Sequence, residues 1–169
     1  MKRGIGFLVL ALVAATLGGC DQVFLRQSSP GSSVPIAYGP ETERQIEKSM
    51  QRYGNLLLSM DAGGVANMYA PDGVWERTTG PLTGRDAIRS ALANTNGVTV
   101  LAVDIKTSYM SYNGPAVVQT GDIAQTVKLP NGKTVNSAAR FEATWIKSST
   151  GEWWIKRMST RPNAKAPGT

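Results

Sequence analysis

The chain has 169 residues, a formal net charge of +6, one cysteine and no histidine. Without histidine, Ser-His-Asp and Cys-His catalysis are excluded, along with the commonest zinc and iron ligands, and neither metal nor cofactor is expected. No zinc-finger spacing, phosphate-binding glycine loop or aromatic RNA-binding signature accompanies the basic charge, so no nucleic-acid partner is expected either.

The first twenty residues set a location. Lys2 and Arg3 precede an apolar stretch from Ile5 to Leu17, and small residues follow at Gly18 and Gly19. That is the layout of a secretory signal peptide. An apolar run of about 13 residues is too short for a hydrocarbon core that needs about 20. The run Leu17-Gly18-Gly19-Cys20 resembles the lipobox of bacterial lipoproteins. The resemblance implies that residues 1–19 are removed and that the Cys20 thiol, a strong nucleophile as thiolate, carries a diacylglycerol. Several acyl chains, at ~0.8 kcal/mol per buried CH₂, hold a protein at a membrane. The expected partner is therefore the membrane, through lipid on Cys20, in the bacterial cell envelope facing the periplasm. Asp21 resembles the enterobacterial signal for staying on the inner membrane. An ordinary signal peptide with an incidental cysteine is the alternative. Since residues 1–19 carry Lys2 and Arg3 and no acid, the mature charge is +4.

Residues 20–40 hold Ser28-Ser29-Pro30-Gly31-Ser32-Ser33 and Tyr38-Gly39-Pro40, a composition that reads as a flexible tether. Residues 42–60 read as a helix, with Thr42 and Gln45 spaced as a capping box. Its apolar face is Ile46, Met50, Tyr53, Leu57 and Met60. Asp61 caps a second helix over 62–70, Pro71-Asp72-Gly73 is a turn, and 74–77 is a short strand. Thr83 caps a third helix over 84–93.

The period then changes to two. Residues 98–112, 116–129, 133–147 and 152–161 are rich in β-branched and aromatic residues. They are joined by Asn113-Gly114-Pro115, Pro130-Asn131-Gly132 and Ser148-Ser149-Thr150-Gly151, which have hairpin chemistry. Ala139, Phe141, Ala143 and Trp145 alternate toward the helices, and Gly121 is a candidate bulge. Residues 163–169 read as a frayed tail. The fold class is α+β: three N-terminal helices on a strongly curved antiparallel sheet, a cone with an open mouth.

Four stretches carry a second resemblance. Arg52-Tyr53 with Leu56 to Asp61, Met68 to Trp75, Gly80 to Ile88, and Gly151 to Ile155 resemble, in this order and spacing, the nuclear transport factor 2-like superfamily. That superfamily includes ketosteroid isomerase and the SnoaL-like polyketide cyclases. The resemblance covers 41–162 and implies its cystatin-like fold. Ketosteroid isomerase uses a carboxylate base, a tyrosine donor and a protonated aspartic acid in an apolar pocket. Tyr53 matches the tyrosine, Arg77 falls at the base position and Ala143 near the acid position. Two of three roles are thus missing.

The expected function is a membrane-anchored lipoprotein whose domain binds a small ligand or a protein partner without catalysis. Tyr53, Trp75, Arg77, Phe141 and Trp145 are the candidate ligand-binding residues; an inward Arg77 suits an anion. The first alternative is a metal-independent acid–base enzyme (lyase, isomerase or cyclase) with Glu76 or Asp122 as a buried base beside Tyr53 and Arg77. The second is an interaction module of an envelope complex that uses the open sheet face to form a homodimer or to dock onto that complex.

Overall fold

The computed structural model describes residues 39–163. The signal segment, Cys20, most of the tether and residues 164–169 lie outside the described residues. In order come α1 (Pro40–Leu58), α2 (Ala62–Asn67), β1 (Tyr69–Glu76), β2 (Leu82–Thr83), α3 (Arg85–Ala93), β3 (Thr99–Asn113), β4 (Ala116–Lys128), β5 (Thr134–Lys147) and β6 (Trp153–Pro162). The strands form one sheet ordered β2-β1-β6-β5-β4-β3. Only the β1–β6 pair is parallel; the other neighbours are antiparallel. Two short strands precede the third helix, so the helices are interleaved with the sheet rather than all preceding it.

Pro40 opens α1 with its φ already helical, and Glu41 and Glu43 lie at the positive end of the helix dipole. The expected capping box is absent. Gly39 is the extended N-cap, so Thr42 falls inside the first turn and is buried. Gln45 donates instead to Glu41 Oε1 at 3.0 Å. Ile46, Met50 and Tyr53 form the buried stripe.

Asp61 caps α2 as expected, accepting the Gly64 N–H at 2.8 Å. The helix ends at Asn67 rather than residue 70, because Tyr69 already pairs with Ile155 of β6. Pro71-Asp72-Gly73 is a bulge within β1, where the register to β6 shifts between Tyr69 and Val74. A Cβ on Gly73 would lie 2.8 Å from the Ile155 carbonyl oxygen, so the close approach of the two strands requires glycine. Thr83 is not the cap of α3. It pairs with Val74 in β2, and Gly84, at φ +85, is the N-cap without a side-chain bond.

The last four strands follow the hairpin reading. Two bulges lie on β3, where Leu101 and Ser108 are the extra residues. Gly121 is not bulged; it sits in register with Phe141. Its missing side chain makes room for the Phe141 ring, which a Cβ there would meet at 2.7 Å.

The core lies between the helices and one sheet face. Ile46, Met50, Tyr53, Val65 and Ile88 pack against Val117, Phe141, Ala143, Trp145, Ile155 and Met158. Burying each large apolar side chain contributes about 1.5–3 kcal/mol.

Candidate functional site

In this architecture the helix-facing side of the sheet is where an interior site would form. Strand alternation sends Phe141, Ala143 and Trp145 of β5 inward, and Gln119 of β4 pairs with Ala143. Tyr53 is 6% exposed, Phe141 4% and Trp145 0%, so the side chains expected to line an open mouth fill it instead.

Two polar groups break the apolar character of this interior. Gln119 is fully buried. Its Oε1 accepts the Trp145 indole N–H at 2.9 Å, and its Nε2 donates to Thr107 Oγ1 at 2.8 Å. The second group is the Tyr53–Tyr69 pair. Burial pushes the Tyr53 hydroxyl above its ordinary pKa. Burial and the neighbouring Tyr53 push Tyr69 well above it. The two hydroxyls are near enough to bear on each other's ionisation. Even so, among the described residues Tyr69 Oη has no hydrogen-bond partner of acceptable geometry.

The carboxylates sit elsewhere. Glu76 pairs with Ser159 in the β1–β6 register and lies 2.7 Å from Arg157 Nη1, with 39% of its side chain exposed. Asp122 lies opposite Arg140, 4.0 Å from its Nε and 51% exposed. By register both occupy the sheet face turned away from the helices, so the structure does not bring them to Tyr53. Trp75 packs partly buried against the core, opposite Met158. Arg77 follows two residues later with its Cζ 5.5 Å from the Trp75 ring centroid. Its buried Nε has no acceptor among the described residues.

Gln119 escaped the sequence reading although its signal was present, as a lone polar residue in the inward series Val117, Gln119, Gly121, Ile123. A basic surface cleft of α1, α3 and the β5–β6 hairpin, lined by Lys48, Arg52, Arg85 and Trp154, had no such signal, since its residues are far apart in sequence. Among the described residues no three His, Cys, Asp or Glu side chains gather as metal ligands, and no helix is long and apolar enough to cross a membrane.

This fold is that of a known class. Residues 41–159 match the SnoaL-like domain family model, and the chain belongs to that family. No curated protein matches the chain. Among solved structures, it is similar to a ketosteroid isomerase-like protein from Erwinia carotovora atroseptica, at 18% identity and TM-score 0.67, covering 75% of this chain and 99% of that one. A nuclear transport factor 2-like superfamily protein from Salmonella enterica is similar at 20% identity and TM-score 0.64, covering 76% and 98%. A nuclear transport factor 2-like protein with a cystatin-like fold from Novosphingobium aromaticivorans gives 17% and 0.63, covering 75% and 85%. At these identities the likeness establishes the fold alone.

Proposed function

We propose that this protein is an envelope lipoprotein, anchored through lipid on Cys20, whose SnoaL-like domain works by binding and not by catalysis. The anchor rests on the sequence of the first twenty residues. The non-catalytic part rests on one observation: among the described residues no carboxylate is buried in the interior, where the ionisable groups are the Tyr53 and Tyr69 hydroxyls, which burial keeps protonated. Ala143, fully buried, stands near the family's acid position, and Glu76 and Asp122 face the other side of the sheet.

The partner in this reading is a second copy, docked through the outer sheet face. Tyr109, 65% exposed, lies opposite Thr120 on that face. Val118 and Ile146 share it, and the Glu76–Arg157 and Asp122–Arg140 pairs flank them. Alternating charges of both signs suit an isologous contact. Light scattering of the mature protein in detergent, over a range of concentrations, tests this. A dimer is expected, with Tyr109→Glu shifting it to monomer while circular dichroism stays unchanged. A wild-type monomer at every concentration removes the dimer reading.

A second reading, a small anionic ligand held at Arg77, is favoured by its acceptor-less buried Nε beside Trp75. Retention of an anion by the wild type and not by Arg77→Met, read by native mass spectrometry, would support it.

A further inference from the structure

A cleft of about 500 Å³ opens between α1, the start of α3 and the β5–β6 hairpin. Its walls carry Lys48 and Arg52 from α1, Arg85 from α3, and Glu152, Trp153 and Trp154 from the hairpin. Lys48 and Arg52 are one helical turn apart and so share a side of α1. Three cations thus line the cleft against one carboxylate. Arg44, Arg89, Arg140, Lys156 and Arg157 each have a carboxylate within 4.0 Å, but Lys48, Arg52 and Arg85 have none among the described residues.

Arg85 is held in place from two directions. Its Nε donates to the Tyr69 carbonyl oxygen at 2.7 Å. Its Cζ lies 5.1 Å from the Trp154 ring centroid. Both terminal nitrogens keep their donors free of any acceptor among the described residues. A guanidinium restrained in this way loses little freedom on binding and presents a planar fork that matches phosphate oxygens. Trp153 is fixed as well, its indole N–H bonded to Gln45 Oε1 at 3.0 Å. The cleft therefore has a rigid aromatic wall beside three unneutralised cations.

We propose that this cleft binds a phosphate group. Arg85 contacts it bidentately, Lys48 and Arg52 supply point charges, and the group attached to the phosphate lies along Trp154. The cations of the cleft come from α1 and α3 and not from the sheet, so the proposal does not rest on the dimer reading. A phospholipid headgroup and a soluble phosphorylated molecule present the same chemistry.

The full chain in phosphatidylcholine nanodiscs, with ¹⁵N-labelled tryptophan indoles, distinguishes them. In one arm glycerol 3-phosphate is titrated; in the other the nanodiscs contain phosphatidylglycerol and nothing is added. The Trp153 and Trp154 indole signals are expected to move while that of buried Trp145 stays. Movement in the first arm alone identifies a soluble ligand, and movement with phosphatidylglycerol identifies a headgroup. The double substitution Lys48→Gln with Arg52→Gln, at exposed positions, is expected to weaken the response about tenfold, as is Arg85→Gln. Immobile indole signals in both arms, or a response the double substitution leaves unchanged, would overturn the proposal.

Discussion

The Trp145 indole N–H and the Gln119 side-chain oxygen meet at 2.9 Å in a part of the core where both residues are fully buried. Among the described residues it is the one buried side-chain hydrogen bond between β4 and β5, and Gln119 ties it onward to Thr107 of β3. Gln119→Leu keeps the volume but strands the indole donor, at a cost of about 1–3 kcal/mol. Adding Trp145→Phe removes the stranded donor, so the double variant should lose less than the sum of the two single losses. Urea unfolding of the four proteins checks this coupling.

Gly121 has no room for a side chain. A Cβ there would press on the Lys106 carbonyl oxygen and the Phe141 ring. Gly121→Ala should destabilise the domain by about 1–3 kcal/mol through overpacking. The additional variant Phe141→Leu, which withdraws the ring, should recover part of that loss in thermal unfolding.

Tyr69 Oη is buried beside the Tyr53 hydroxyl without a hydrogen bond of acceptable geometry among the described residues. Tyr69→Phe should therefore cost less than about 1 kcal/mol, or stabilise, since it removes a desolvated hydroxyl. Tyr53→Phe is the contrasting control at the neighbouring ring.

The same two hydroxyls set an alkaline limit. Burial raises both above the ordinary value of 10.0. Below that value both folded and unfolded chains keep the protons, and the contribution is fully present. As pH rises past it, the unfolded chain ionises while the folded one resists, so stability falls. Melting temperature should drop steeply above pH 10, and the drop should be shallower in the Tyr53→Phe/Tyr69→Phe double variant.

Much of this domain could be read from its sequence. The alternation of Phe141, Ala143 and Trp145 fixed the inner face of β5, and Asp61 announced the start of α2. Local rules failed where a distant strand competed for the same residues. Thr83 has a good capping side chain, but pairing with Val74 claims it for β2. Residues 68–70 continue a helical pattern, but β6 draws Tyr69 into the sheet. The interior site was half legible. Tyr53, Phe141 and Trp145 do point inward as expected, but alternation gives only direction, and whether a cone is hollow depends on summed side-chain volume. Glu76 and Asp122 were located correctly on their strands; their arginine partners come from neighbouring strands whose register no local pattern specifies.

The lipid anchor is the claim on which the protein's placement depends, and intact mass spectrometry of the protein extracted from its own membrane tests it most directly. A chain beginning at Cys20 and heavier by the mass of a diacylglyceryl group is the expected result. A full-length, unacylated chain recovered from the soluble fraction would contradict it.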